Sequence, residues 1–419
     1  MPAAPWLLAL LLTTFIQMAG SFMSQAMPVV APLLTGAMGV PAERIGVLTA
    51  LVSFGSVVFL ALGTPLVLRL GPAVALQASV ICGAAALLTV MLGVWPAALT
   101  GAWLLGLAYG PVPPGTTRLL GATAPARHRG LIFSIKQAGA QAGGVLAGLI
   151  LAPLAARHGW EAALLTAAGT GLIAGALSTP FRARLNIGRD PSRALFGRAN
   201  LLAPFAAIAA DRQLVALTVL TTAFAVAQGC LFSFCVTFMT VNHAAGLVAA
   251  GAAYACMQAG AMVGRVVLGF AADRSGAAIR NLFGQALGCA GLILVWAHVS
   301  LPVGALWVSA LAFLVGALAA SWNGLVLAEI ARLAPPERVA DAAAGSTMIS
   351  FCGYVFGPAL FSLAVRGFGE WQTPYALVAA QLAAVALVLP AWLYRRRGAS
   401  KTPAADTYGA DKSRKDAGA

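Results

Sequence analysis

Continuous apolar runs long enough to cross a membrane recur along the whole of this 419-residue chain. A helix rises 1.5 Å per residue, so about 20 apolar residues span a bilayer. Six runs of that kind occupy 6–33, 45–68, 73–94, 97–119, 131–155 and 162–180. Six more occupy 214–241, 247–272, 279–299, 303–330, 342–365 and 373–394. They are unbroken, whereas the strands of a membrane barrel alternate with period two over about ten residues, so helices are expected throughout. Charged residues make up only 9% of the chain. A soluble domain carries about 25%, which excludes a soluble fold.

The longest polar interruption, from Phe181 to Arg212, carries six arginines (182, 184, 189, 193, 198 and 212) against Asp190 and Asp211. The sequences on its two sides are alike. Sliding the first forward by 210 positions lays Leu104 to Gly106 on Leu314 to Gly316, and Thr123 to Gly130 on Leu333 to Ala340, with no gap between these anchors. A fixed offset of half the chain means duplicated halves of one topology, a known way of building transporters. The expected fold is therefore an all-α integral membrane protein of twelve transmembrane helices in two pseudo-symmetric six-helix bundles. Residues 1–180 form the first bundle, 181–213 the Arg-rich linker, 214–395 the second bundle and 396–419 a disordered tail.

The net charge of +14 could suggest nucleic acid, but its placement argues for topology instead. With the N-terminus cytoplasmic, external loops carry only Arg44, Arg157 and Arg366 among the 26 lysines and arginines. That is the positive-inside bias, and it places both termini in the cytoplasm. All six cysteines fall within the apolar runs, with neither a disulfide framework nor zinc spacing, so packed free thiols and no metal are expected. The first run lacks a basic leader and is too long for a signal peptide, so it reads as a retained helix. No GxSxG, HExxH or P-loop pattern occurs, and the chain reads as neither an enzyme nor a cofactor binder.

Between helices 8 and 9 runs GRVVLGFAADRSG, from Gly264 to Gly276. It resembles the loop signature of the major facilitator superfamily, in which a glycine precedes an Asp-Arg pair followed by another glycine. The resemblance implies two bundles rocking about a central site, with Gly269, Asp273, Arg274 and Gly276 as gating residues that help close the inner face. The corresponding loop between helices 2 and 3 departs from the pattern, with Leu68 in place of the acid. A carboxylate is favoured near the positive end of a helix dipole. Arg127, His128 and Arg129 before helix 5 would welcome Asp273, whereas Glu337 and Asp341 before helix 11 would repel an acid at position 68. An asymmetric gate is expected.

Pro111, Pro113 and Pro114 prevent helix 4 from continuing regularly past Tyr109, and the corresponding part of helix 10 is Ser321 to Gly324, which includes Asn323. Interrupted helices at matching places in two repeats point to a midplane binding site. In helix 1, Gln17, Ser21, Ser24 and Pro28 fall in one stripe, which must face protein or water. Helix 8 aligns Tyr254, Gln258 and Arg265, and Tyr109, Gln141, Gln228 and Tyr354 add polar groups near mid-membrane. Each could wall a cavity or tie two helices together.

Lys136 in helix 5 and Arg265 in helix 8 lie on the order of 10–12 Å from the inner surface, counting 1.5 Å per residue. Helices 1 to 6 contain no acid that could pair with either. In the family fold helices 5 and 8 are neighbours, so the resemblance brings these cations together, where an anion between them would relieve both. The competing reading is snorkelling of both heads to the interface. Gly143 and Gly144 of helix 5 lack the adjacent proline of the family's antiporter signature, which counts against a drug antiporter, and RGLIFSIKQAGAQAGGVLAG is loosely similar to helix 5 of cyanate and organic-anion carriers. The leading expectation is a monomeric secondary transporter of a small, anionic molecule in a bacterial inner membrane. Efflux of neutral or cationic hydrophobic compounds, or a non-transporting sensor, are the alternatives.

Overall fold

The computed structural model describes residues 5–125, 128–192, 198–299 and 305–394, and these contain helices and connecting turns with no strand. Arg127, Arg193 and the tail 396–419 lie outside the described residues. Among the described residues, ten helical stretches are long and apolar enough to cross a membrane. One of them, Leu131–Leu185, is interrupted at Gly159, whose φ of +86° lets the chain turn, and so holds helices 5 and 6. A further crossing, helix 4, is split by its prolines. Twelve crossings result.

Helix 1 comprises Pro5–Ser24 and Ala26–Ala37, helix 2 runs from Ile45–Val58 through Thr64–Leu70, and helix 3 is Pro72–Val90. Helix 4 is Trp95–Tyr109 followed by Val112–Thr123, helix 5 begins with Arg129–Leu146, and helix 6 ends the stretch Ala152–Ser178. In the second half, helix 7 is Arg212–Thr237, helix 8 Leu247–Ser275 and helix 9 Ala278–Ala297. Helix 10 is Ala305–Ala320 followed by Trp322–Leu333, helix 11 is Val339–Phe368 and helix 12 is Gln372–Tyr394.

The pairing of helices repeats. Helix 1 packs on 5 and 6, helix 2 on 4, and helix 3 on 4 and 6; helix 7 packs on 11 and 12, helix 8 on 10, and helix 9 on 10 and 12. Adding six to every number of the first set gives the second, so the duplication seen in the sequence is a duplication of packing. Small residues make the closest contacts, because lipid offers no hydrophobic drive and association rests on close approach. A Cβ on Gly316 of helix 10 would sit 1.8 Å from the Met257 carbonyl oxygen, and one on Gly260 of helix 8 would sit 1.9 Å from that of Phe313.

The breaks in helices 4 and 10 also correspond. Helix 4 stops at Tyr109 and restarts at Val112, and helix 10 stops at Ala320 and restarts at Trp322. The pivots, Pro111 and Ser321, are 210 positions apart. Helix 1, expected as one run, bends at Gln25, because Pro28 has no N–H to return to the Ser24 carbonyl.

The face on which helix 1 begins and helix 12 ends is here called the terminal face, and the opposite one the far face. Contacts between the halves cluster toward the far face. Gly46 of helix 2 lies against Phe234 and Pro358, Gly148 of helix 5 against Gly251 of helix 8, and Ser233 of helix 7 donates to Thr49 of helix 2 at 2.8 Å. Toward the terminal face, Val112–Thr123 and Trp322–Leu333 pack chiefly within their own halves. The halves thus meet at the far face and part toward the terminal one.

On the terminal face the start of the linker is strapped to the loop between helices 2 and 3. Asn186 Nδ2 donates to the Leu70 carbonyl at 3.0 Å, Arg189 Nε to that of Arg69 at 3.2 Å and the Asp190 amide to that of Leu68 at 2.9 Å. Further along, the linker helix Arg198–Ala209 lies on helix 11, where the Pro204 carbonyl approaches Gly345.

Candidate functional site

Helix 5 carries Lys136 inward at only 4% exposure. Its ammonium donates to Gln137 Oε1 at 3.5 Å, a long contact that leaves most of its donor capacity free. Arg265 of helix 8 lies within its electrostatic reach across the line between the halves. The Arg265 guanidinium donates from Nη2 to the Ala320 carbonyl at 3.2 Å, at the break in helix 10, while its Nε is buried without a partner. With the Gln141 amide oriented so that both its ends are satisfied, its oxygen accepts from Arg265 Nη2 at 3.3 Å and its nitrogen donates to the Gln137 carbonyl at 3.1 Å.

Among the described residues neither cation has a counter-ion. Among the described residues the one salt bridge is Arg332 to Glu329 at 2.7 Å, on the terminal segment of helix 10. Lys136 is buried, and Arg265 of the other half lies within its electrostatic reach. A pair of like charges in a low-dielectric setting, each with donors to spare, is costly unless something anionic joins it.

Around the pair stand polar groups from five more helices. Gln17 of helix 1 donates to the Tyr109 hydroxyl of helix 4 at 3.1 Å. In the other half, Tyr354 of helix 11 and the Trp322 indole of helix 10 both donate to Gln228 Oε1 of helix 7, at 2.8 and 3.2 Å. Two donors on one oxygen fix the direction of the Gln228 amide and leave its NH2 as the free end. Tyr354 lies within electrostatic reach of both Arg265, of its own half, and Tyr109, of the other. The spare polar capacity of this cluster consists mainly of donors, an ammonium, a guanidinium, a phenol and an amide NH2, with the buried Gln17 Oε1 as an acceptor. Such a set fits an oxyanion, which only accepts.

Three sequence candidates lie apart from this cluster. Gln258 donates to the Tyr254 hydroxyl at 2.8 Å, and Tyr254 donates to Gln25 Oε1 of helix 1 at 2.7 Å, a chain that ties the halves toward the far face. Ser21 packs where Gly143 of helix 5 approaches helix 1. Asn323 is half-buried beside the break in helix 10, with no hydrogen bond among the described residues. Of the gating candidates, Gly269 is half-buried, and Asp273, Arg274 and Gly276 are exposed on the terminal face. Gly276 ends helix 8 with a φ of +61°, a conformation glycine adopts freely.

Sequence reasoning missed Gln25, Gln137 and Trp322. Trp322 was legible as the neighbour of the predicted break. Nothing in the sequence singled out Gln137.

The comparisons agree with this architecture. A family model described as Major Facilitator Superfamily matches residues 10–345. No curated protein matches the chain in sequence. Among solved structures, a mutant form of the nucleoside transporter NupG superposes with a TM-score of 0.74 at 14% identity, covering 91% of this chain and 99% of its own. A peptide transporter POT in complex with sulfate gives 0.72 at 14% identity, covering 92% and 94%. A bacterial homolog of the human lysosomal transporter Spinster, in an inward-facing and unoccupied conformation, gives 0.69 at 16%, covering 93% and 96%.

Proposed function

This chain belongs to the Major Facilitator Superfamily, and on that premise we propose that it carries a small organic or inorganic anion across the membrane by alternating access. The observation that carries the reading is the pair Lys136 and Arg265, within electrostatic reach of each other and with no carboxylate in ion-pair distance among the described residues. An empty site of this kind holds an uncompensated double charge. An anion between the heads converts mutual repulsion into two charge-assisted contacts, each stronger than a neutral hydrogen bond. Tyr109 and the Gln228 amide complete a ring of donors from both halves, so the ligand bridges the two bodies that must move together.

In this reading the bundles 1–180 and 214–395 rock about the site while the linker 181–213 joins them, and the terminal face is cytoplasmic in a bacterial inner membrane. The conformation, parted toward the terminal face, is then the one that exchanges solute with the cytoplasm. Transport requires no covalent chemistry, and the site offers no nucleophile with a partnered base; the chain acts as a monomeric carrier, not an enzyme.

The test is thermal unfolding of the detergent-purified protein against anionic, neutral and cationic solutes, with Lys136→Gln and Arg265→Gln alongside. A ligand at 100 times its dissociation constant adds about 2.7 kcal/mol. Stabilisation by an anion, lost in both variants, supports the reading. Stabilisation by cations or neutral hydrophobes, untouched by either variant, would assign the pair a structural role.

A further inference from the structure

Lys136 is the only lysine before the tail 396–419; every other Lys or Arg residue up to position 395 is an arginine. The two side chains differ in one property that matters in a buried site. An arginine keeps its charge in any protein setting, whereas a lysine can give up its proton and become a neutral amine. Of the two cations, then, one is a fixed charge and the other a removable one. Their partners agree with this division. Arg265 donates to the Ala320 carbonyl and to the Gln141 oxygen, acceptors suited to a permanent donor. Lys136 donates at 3.5 Å to the Gln137 amide oxygen, which accepts from an amine as it does from an ammonium. A carboxylate there would hold the proton in place.

The helices packed on helix 5 bring few other titratable groups. Between its first residue, Arg129, and Leu146, helix 5 itself carries only Lys136, and helix 1 has none from Pro5 to Ser24. Helix 8 brings Arg265, the half-buried Cys256, Tyr254, which is tied to Gln25, and Asp273 and Arg274, exposed on the terminal face. The second segment of helix 4 brings Arg118, which donates to the Gly188 carbonyl of the linker. Tyr354, within reach of Arg265, and Tyr109 complete the set. Among the described residues every carboxylate and imidazole lies in a loop or near a helix end, and the most buried of the acids, Glu329, is paired with Arg332.

Transport by alternating access requires the halves to close around the site both with and without the anion. Two buried cations resist closure when no negative charge joins them. Loss of one proton leaves a single charge. A monovalent anion held by both cations leaves a single charge as well. The two forms that reorient then carry the same net charge.

Resting on the anion reading above, we propose that Lys136 carries a coupling proton. Its amine nitrogen takes up H+ from water on the open side as the anion binds and returns it as the anion leaves, so one proton travels with each anion in the same direction. Arg265 stays charged throughout.

The experiment uses the purified full chain in detergent, with the sodium salts of nitrate, acetate, benzoate and sulfate as probes and the shift of the unfolding temperature as the first readout. From about pH 7 to about pH 9.5, the affinity for the probe that stabilises the protein should fall toward tenfold per pH unit, the slope of binding linked to one proton. Calorimetric titration in buffers of different ionisation heat should show close to one proton taken up per anion at the alkaline end. Lys136→Arg, with a permanent charge, should bind the probe with a flat profile and no proton uptake, and Lys136→His should move the fall to lower pH. A flat profile without uptake in the unaltered protein overturns the proton role and leaves the anion site standing, and that result depends on no variant folding. Uptake that persists in Lys136→Arg assigns the proton to another group and overturns it equally. Stabilisation by none of these anions at any pH overturns the anion reading itself.

Discussion

Tyr254 of helix 8 donates its hydroxyl proton to Gln25 Oε1 of helix 1 at 2.7 Å, and this is a hydrogen bond between the two halves of the molecule. Gln258 in turn donates to the Tyr254 oxygen, so the phenol is held from both sides. The bond can exist only while the far face is closed. Tyr254→Phe removes it without changing ring packing, at a cost to the closed state of about 1 kcal/mol, or roughly fivefold in population. Spin labels at positions 38 and 248, on the far-face ends of helices 1 and 8, should show a larger share of the long distance in the variant. An unchanged distance distribution would mean that the bond is idle.

Two glycines on helix 8 should behave differently although both are tightly packed. A Cβ on Gly260 meets the Phe313 carbonyl within its own half at 1.9 Å, whereas one on Gly251 meets Ala152 of the opposite half at 2.3 Å. The first contact persists in every conformation, so Gly260→Ala should lower stability by about 1–3 kcal/mol, the usual cost of overpacking. The second is relieved when the far face opens. Gly251→Ala is therefore expected to shift the conformational balance toward far-face opening with a smaller loss of unfolding temperature. Equal temperature losses with no shift in the label distances would show that the two contacts are equivalent.

What could be read in the sequence follows what the bilayer enforces. The helix count, the duplication and the paired breaks at Pro111 and Ser321 were legible because continuous hydropathy and proline act locally. Lys136 and Arg265 stood out because charge in an apolar run is costly wherever the helix points. The polar, uncharged residues were not separable in the same way. Gln258 and Gln228 look alike in sequence, yet one ties the halves toward the far face and the other presents an amide beside the cations, and only the rotation of each helix decides which. Gln25 went unnoticed for the same reason. The strap from Asn186 to Asp190 depends on tertiary hydrogen bonds to backbone carbonyls, which no side-chain pattern records.

Removing a cation from the site should make the empty protein more stable while disabling it. Burial of Lys136 without a counter-ion costs free energy, about 2.5–3.5 kcal/mol on insertion scales. Arg265 within its reach adds repulsion. Lys136→Gln relieves both terms, and an increase in unfolding free energy of about 1–3 kcal/mol is expected, together with loss of any anion-induced stabilisation. A purely structural lysine would give the opposite sign, a less stable protein. The measurement is chemical or thermal unfolding in detergent, without and with ligand.

The two loops that correspond across the repeat should not contribute equally to closing the terminal face. The loop between helices 2 and 3 has no acid, and its carbonyls at Leu68, Arg69 and Leu70 are occupied by the linker strap. The loop between helices 8 and 9 leaves Asp273 exposed, without an ion pair among the described residues in this terminally parted conformation. A carboxylate so placed gains a partner only when the halves approach, at the positive N-terminal end of helix 5, where a contribution of about 0.3–1 kcal/mol is typical. Asp273→Asn is expected to enlarge the terminally open population, read from spin labels on the terminal ends of helices 5 and 8, whereas Leu68→Ala should leave it unchanged. Asn186→Ala, which frees the strap, should loosen the first loop without mimicking Asp273→Asn, since the strap bonds lie within one half and do not report on the approach of the other. If both loop substitutions shift the population equally, the gate is symmetric and the loss of the acid at position 68 has no mechanical meaning.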